Sequence, residues 1–251
     1  MACFRGAKGR CTDYLVKSQK ETAKEENCMG DLSEIARSIA DPNCNVKAAV
    51  NLAIKLKYDL IREMLNLERF RTSHVDVVAM LTNSEVKTTK FEMVSALNLE
   101  HAWNFLLSNL EYNDCWMLLS QLHKIVARDL DRNCGELRKE KERVIGTSYT
   151  APVPYIDSVH EKIWRFRDIS NPVDKALWFY LWLIESRLFS SKNYSVAVLM
   201  ANKILIQAGV GVISVPVELR NEYQTFMIQY FETGDSSELY KFLKDNCIAY
   251  A

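Results

Sequence analysis

Apolar residues recur at helical spacing along most of the chain. Positions three and four residues apart share one face of a helix, so this spacing predicts amphipathic helices. Residues 72–90 and the segment before residue 31 are less regular, and "SSELYKFLKDNCI" closes the chain. The predicted helices cover residues 31–45 (ended at Asp41-Pro42), 46–70, 91–110, 115–130, 157–167, 173–189 and 195–208, and a later one places Leu219, Tyr223, Phe226, Met227, Tyr230 and Phe231 on one face.

Two of these helices are apolar on every side. They cover residues 173–189 and 195–208, and in the second only Asn202, Lys203 and Gln207 interrupt the apolar run. A helix that is apolar all round is normally buried. The pair is therefore predicted to be buried and antiparallel, with Pro172 in the first turn of one helix and Gly209 capping the other.

A polar loop, residues 190–195, joins the two apolar helices. The N-terminus of a helix presents unpaired N–H groups and the positive end of the helix dipole, which together attract anions. The loop is therefore a candidate phosphate site. A loop lysine is ordinarily solvated, so replacing Lys192 with alanine is expected to change stability by less than about 0.5 kcal/mol.

One segment before residue 210 has β character. Residues 144–145 and 148–150 flank Gly146-Thr147, a sequence that favours a tight turn between two short strands. We therefore predict a hairpin near residues 143–150. Pro152 and Pro154 exclude a helix immediately after it. The later segment "VGVISVP" is predicted to be extended.

The composition limits the classes of function. The 251 residues, 48% hydrophobic and 25% charged, suit one domain over residues 46–251 with an N-terminal helical extension or arm over 1–45. A formal net charge of zero disfavours nucleic-acid binding. Seven cysteines without a CxxC pair favour reduced thiols in a cytoplasmic protein and predict no metal site. Lys203 and two glycines interrupt the apolar stretch 196–217, which favours a core helix over a membrane span.

Several stretches, in order, resemble the Fic (Fic/DOC) domain family, and in particular a bacterial subgroup of it. The resemblance covers about residues 66–248. Its pieces are "ALNLEHAWNFLL", "QLHKIVARDLDRNCGELR", "RVIGTSYTAPVP" and "DKALWFYLWLIESRLF" followed by "VLMANKILIQAGVGVISVPVEL". The resemblance implies a mostly α, Fic-fold helical domain with a small β-hairpin flap at about 143–152 and a motif loop at 187–198. It also implies transfer of AMP, or of another phosphate-containing group, to protein hydroxyls.

The motif loop departs from the pattern of similar active proteins, which reads His-x-Phe-x-Asp/Glu-Gly-Asn-Gly-Arg-x-x-Arg. The nearer bacterial subgroup has Asp-Gly-Asn-Lys-Arg and need not have the histidine. Phe189 and Asn193 match the longer pattern. Arg187 replaces the general base, and Ser191 replaces the magnesium ligand. Lys192 and Tyr194 replace the first and second glycines, and Ser195 and Val198 replace the two arginines. A protonated arginine cannot accept a proton, and serine is a weak magnesium ligand compared with a carboxylate. No catalytic residue and no cofactor are therefore expected.

The sequence leaves three functions open. We favour a binding or regulatory protein that has lost adenylyltransferase activity. An active transferase with an atypical motif, using ATP and magnesium, and a nucleotide sensor without turnover are the alternatives. Candidate phosphate-binding residues are Ser191, Lys192, Asn193, Tyr194 and Ser195, and the candidate surface for a protein partner is the flap, with Gly146, Thr147, Ser148 and Tyr149.

Three further features carry structural expectations. His101 and His123 lie on amphipathic helices and are expected to be structural. Arg138, in "GELR", is a candidate structural arginine near the flap. Residues 82–85 weakly echo the inhibitory motif of similar proteins, but their spacing does not match it, and no inhibitory role is expected.

Overall fold

The computed structural model describes residues 45–251. Except for Asn45, the predicted extension 1–45 and the predicted helix 31–45 lie outside the described residues. The prediction of a mostly α fold is confirmed. Residues 45–251 contain ten α-helices, namely α1 (Val46–Lys55), α2 (Lys57–Leu67), α3 (His74–Leu81), α4 (Lys90–Ser108), α5 (Trp116–Val126), α6 (Ile156–Arg165), α7 (Pro172–Ser186), α8 (Asn193–Gln207), α9 (Arg220–Thr233) and α10 (Ser237–Asn246).

Helix α8 is the centre of the described domain. Every residue from Ser195 to Ile206 is buried, and α7, β3, α5, α1, α4 and α2 all pack against it. This confirms the prediction for α8. Helix α7 packs against it and is buried on the facing side, but its outer face is partly exposed, with Trp178 at 42%. Helix α7 begins as its sequence predicts, because the Asn171 side chain accepts hydrogen bonds from the N–H groups of Val173 and Asp174, and Pro172 follows it.

The polar residues of α8 are paired inside the core. Asn202 donates to the carbonyl oxygen of Ile213 at 2.7 Å and accepts from its N–H at 2.9 Å, which fixes the following strand to the helix. Lys203 is 2% exposed and donates to Asp114 at 2.7 Å. Burial by itself raises the pKa of Asp114, but Lys203 and Lys175 outweigh it, and the pKa falls below its ordinary value.

The strands form two small antiparallel pairs within residues 45–251. In the flap, β1 (Glu142–Arg143) pairs with β2 (Thr150–Ala151). Near the end of the chain, β3 (Gly211–Ile213) pairs with β4 (Ile248–Tyr250), a strand that the sequence did not predict. A Cβ atom on Gly211 would lie 2.0 Å from the carbonyl oxygen of Ala249, so this pairing requires glycine. Two 3-10 helices, Phe166–Asp168 and Val217–Leu219, complete the described elements.

Several helix boundaries differ from the sequence prediction, and α5 ends at Val126 instead of at residue 130. The predicted helix 46–70 is two helices, because Leu56, with φ −91° and ψ 3°, interrupts the helical backbone. Helix α3 lies within 72–90, which the spacing had left unassigned, and a capping box at Ser73 starts it. Helix α7 stops at Ser186 instead of Phe189, because Arg187 adopts a left-handed conformation with φ 44°.

Candidate functional site

The motif loop turns between α7 and α8 through two left-handed residues. Arg187 has φ 44° and Lys192 has φ 54°. Non-glycine residues in this region are strained by about 1 kcal/mol or more, so neighbouring contacts must hold them. Lys192 stands where similar active proteins have a flexible glycine, and the backbone here adopts a conformation that glycine favours.

Asn193 and Phe189 close the loop on itself. The N–H of Phe189 donates to the Asn193 side chain at 3.0 Å, and that side chain donates back to the Phe189 carbonyl at 2.8 Å. The Phe189 ring is buried between the ring of His123, with centroids 4.0 Å apart, and that of Trp116 at 5.7 Å. The two residues that match the family pattern therefore set the shape of the loop.

His123 supports the loop as a neutral, structural histidine. Its Nδ1 accepts from the N–H of Gly135 at 2.8 Å, so Nε2 carries the proton and donates to the Ser191 carbonyl at 3.2 Å. Burial lowers the pKa of His123 to about 4, although Asp131 acts against this shift. His101, the other histidine expected to be structural, is exposed on α4.

Asp131 holds the hydroxyl groups of the loop. Ser190 and Ser191 both donate to its Oδ2, at 2.6 and 2.5 Å. Burial by itself raises the pKa of Asp131, but the hydrogen bonds from these two serines outweigh it, and the pKa is lowered. A carboxylate therefore faces the position where a phosphate-binding loop presents donors.

Lys192 is a buried ion-pair partner, so the expectation of a solvated lysine is wrong. Its ammonium group pairs with Glu68, and the two side chains are only 8% and 10% exposed. Ser195 donates to the other oxygen of the same carboxylate. Lys192 also donates to Ser95 at 3.1 Å, and the rings of Phe70 and Phe91 lie 5.8 and 5.4 Å from its Nζ.

Glu68 is a loop contact that the sequence analysis missed. It follows α2 directly. An acidic residue is unfavourable at the C-terminal end of a helix dipole, which is the one sequence signal that it has a partner elsewhere. Residues 82–85, in contrast, bond locally, with Thr82 donating to Val78 and contacting Ser84.

Two arginines join the motif loop to the base of the flap. Arg138 is 7% exposed and donates to four carbonyl groups, those of Glu140, Pro152, Ser186 and Arg187. Arg187 pairs with Glu142 in β1. The guanidinium groups are thus directed to carbonyls and a carboxylate of the chain itself. Burial raises the pKa of Tyr194, and the nearby Arg187 offsets only part of that rise.

The flap is a short hairpin that bonds to α9. The N–H of Thr147 donates to Val144 across a turn in which Gly146 has φ 87°. Both the N–H and the hydroxyl of Ser148 donate to Glu232, each at 2.5 Å. The ring of Tyr149 stacks on Phe231 at 5.2 Å, and its hydroxyl donates to the Glu185 carbonyl at 3.3 Å. The hairpin predicted near residues 143–150 is present at 142–151.

Residues 45–251 offer neither a cluster of metal-binding side chains nor a helix suited to a membrane. No group of three or more His, Cys, Asp or Glu side chains in these residues is arranged to hold a metal ion. None of their helices combines the length and the apolarity needed to cross a bilayer.

Several solved Fic-domain proteins share this arrangement of helices. Fic-1 from C. elegans is 16% identical, with a TM-score of 0.68 over 96% of this chain and 74% of that one. A Fic family protein from Desulfovibrio desulfuricans is 15% identical, with a TM-score of 0.64 over 84% of this chain and 68% of that one. A Fic domain containing signaling protein from Bacteroides thetaiotaomicron is 14% identical, with a TM-score of 0.62 over 78% of this chain and 79% of that one.

The chain therefore has the Fic fold, as the resemblance predicted. No protein-family model and no curated protein matches the sequence. At these identities the likeness establishes the architecture alone.

Proposed function

We propose that this Fic-fold protein has lost adenylyl transfer and acts by binding a protein partner. The observation that carries the proposal is that two carboxylates from elsewhere in the chain occupy the polar groups of the motif loop. Glu68 takes the cation and one hydroxyl of the loop, and Asp131 takes two more hydroxyls. A phosphate group would have to break these bonds and then lie near two carboxylates.

The side chains that would catalyse AMP transfer are also missing from the motif loop. Arg187 stands at the position of the general base and is paired with Glu142. Ser191 stands at the position of the magnesium ligand and donates its proton to Asp131. Neither arrangement accepts a proton from an attacking hydroxyl or holds a magnesium ion strongly. Four of the five candidate phosphate-binding residues, Ser191, Lys192, Asn193 and Ser195, are accordingly assigned to holding the loop closed.

The flap is the proposed surface for the partner. Ile145 at its tip is 81% exposed, and a Cβ atom added to Gly146 would meet no atom within 4 Å. A two-stranded hairpin has outer edges to which an extended peptide can add a strand. Such a partner competes with Glu232 for the N–H of Ser148.

Calorimetry with ATP and magnesium tests the proposal. The natural chain is expected to show no binding heat and no rise in melting temperature. A variant with Ser191→Asp, Lys192→Gly, Tyr194→Lys and Ser195→Arg, which restores the Asp-Gly-Asn-Lys-Arg loop of the nearer bacterial subgroup, is expected to gain binding. At 100 times its Kd, a ligand stabilises a protein by about 2.7 kcal/mol, which a melting curve detects.

The matched control is the same rebuilt loop with Ser195 retained, which lacks the arginine that would stabilise phosphate charge. Its binding should be weaker than that of the full rebuild. Equal ATP binding by the natural and rebuilt chains would contradict the proposal and support the nucleotide sensor. Incorporation of labelled AMP into protein by the natural chain would instead support the transferase.

A further inference from the structure

The flap and Arg138 complete the C-terminal end of α7. The last carbonyl groups of a helix have no N–H partner inside it, so other donors must supply their hydrogen bonds. In α7 the carbonyl oxygen of Glu185 accepts from the Tyr149 hydroxyl at 3.3 Å, and that of Ser186 accepts from the Arg138 guanidinium at 3.2 Å. Tyr149 directly precedes β2, so the flap supplies one of the groups that end this helix.

Arg138 extends the same support to the first residues of the motif loop. Its Nε donates to the carbonyl oxygen of Arg187 at 2.5 Å, and its backbone N–H donates to that of Leu188 at 3.0 Å. Its guanidinium group also donates to the carbonyl oxygens of Glu140 and Pro152, which flank the flap on either side. One buried residue therefore bonds both ends of the flap and the start of the motif loop.

This support matters because Arg187 is strained. With φ 44°, it keeps its left-handed conformation only while neighbouring contacts hold it. Its carbonyl oxygen bonds to Arg138, and its side chain pairs with Glu142 in β1. If the flap moves away, these contacts weaken, and the residue is expected to return to an ordinary conformation. The start of the loop then changes shape with it.

The rest of the motif loop is held by residues outside the flap. Ser190 and Ser191 donate to Asp131, which follows α5, and Lys192 pairs with Glu68 at the end of α2. Because neither carboxylate belongs to the flap, these bonds do not depend on its position. The start of the loop is therefore the part that the flap controls.

The tip of the flap is held by α9. Ser148 donates two hydrogen bonds to Glu232, and the ring of Tyr149 stacks on Phe231. Ser148 and Tyr149 are adjacent in the chain. Releasing Ser148 from α9 therefore also loosens the hydroxyl that caps the carbonyl group of Glu185.

We propose that the flap and the start of the motif loop, residues 186–189, open as one unit. A protein partner that draws the flap away from α9 thereby changes the conformation of the loop. This consequence for a partner rests on the proposed function, whereas the joint opening does not. The motif loop in this way responds to occupancy of the flap without binding a nucleotide.

Hydrogen exchange followed by mass spectrometry tests the joint opening on the full chain. Glu232→Ala removes the acceptor of both hydrogen bonds from Ser148. We expect exchange to become about tenfold faster both in the flap, residues 142–151, and in residues 186–189, and to stay unchanged in α3.

Two further variants sharpen the test. Tyr149→Phe removes only the hydroxyl and keeps the ring that stacks on Phe231, so exchange in residues 186–189 should rise by about threefold. The matched control is Glu222→Ala, which changes another exposed glutamate of α9 and should leave exchange in the flap and in residues 186–189 unchanged.

Faster exchange in the flap alone would show that the loop opens independently and would overturn the proposal. So would an equal rise in α3, which would mean that the whole domain unfolds, and so would an unchanged flap, which would mean that Glu232 does not hold it. The measurement uses neither a nucleotide nor a partner. ATP binding by the natural chain would therefore contradict the proposed function and leave this result as it is.

Discussion

Replacing Lys192 with alanine should destabilise the protein far more than its loop position suggests. The substitution removes the ammonium group that pairs with Glu68 and leaves that carboxylate, 10% exposed, without a cation. The hydroxyl of Ser195 still donates to the carboxylate. A single hydrogen bond from a neutral group does not replace a cation as its partner.

The expected loss of stability follows from the burial of the Lys192–Glu68 ion pair. Removing one partner of a buried ion pair costs about 3–5 kcal/mol, because the remaining charge is left without compensation. The hydrogen bond from Ser195 and the slight exposure of Glu68 place this site at the lower end, at about 3 kcal/mol. Changing Glu68 to glutamine as well removes the unpaired charge. The double variant should therefore be more stable than Lys192→Ala alone by about 2 kcal/mol.

Urea denaturation followed by circular dichroism measures these differences, provided that the slope of the transition is unchanged. The matched control is Lys241→Ala, on an exposed surface, which should stay within about 0.5 kcal/mol of the natural chain. A loss below about 0.5 kcal/mol for Lys192→Ala would show that the lysine is solvated and would refute the reasoning.

Three further predictions concern the core. Folding stability should fall by about 3 kcal/mol as the pH drops from 6.5 to 4, because His123 has a pKa of about 4 when folded and an ordinary one when unfolded. In a plot of urea midpoint against pH, His123→Gln should flatten the curve over this range. Leu199→Ala and Ile204→Ala, at 0% and 4% exposure, should each cost about 2–5 kcal/mol in urea titrations, and equal stability to the natural chain would contradict their burial. Asp114→Asn leaves Lys203 buried without a carboxylate and should cost about 3–5 kcal/mol by the same method, whereas a neutral result would mean that water reaches the ammonium.

The helical core could be predicted from the sequence because its signal is local. The apolarity of residues 173–189 and 195–208 predicted the buried pair, and Gly146-Thr147 predicted the hairpin. The resemblance gave the fold that the solved structures confirm. Strand β4 escaped prediction because only its pairing with Gly211–Ile213, some 35 residues earlier in the chain, makes it a strand.

The partners of the motif loop could not be predicted, because they come from distant parts of the chain. Glu68 precedes Lys192 by 124 residues, and Asp131 precedes Ser191 by 60. The sequence shows a lysine in a polar loop, and such a residue is solvated unless the fold brings a carboxylate to it. Burial of α8 in the middle of the domain is what brings the end of α2 to the start of that helix.

If the flap binds a peptide as proposed, the contact between Ser148 and Glu232 makes that binding a competition within one molecule. The effective concentration of the Glu232 carboxylate at Ser148 is high because both residues belong to the same fold. The hydrogen bonds from Ser148 lower the pKa of Glu232, which keeps this competing carboxylate ionised. A peptide that needs this N–H then binds more weakly than its contacts alone would give, by a factor set by the ratio of the bonded to the free form. Glu232 would then restrict binding to peptides whose contacts with the flap are strong enough to displace its carboxylate from Ser148.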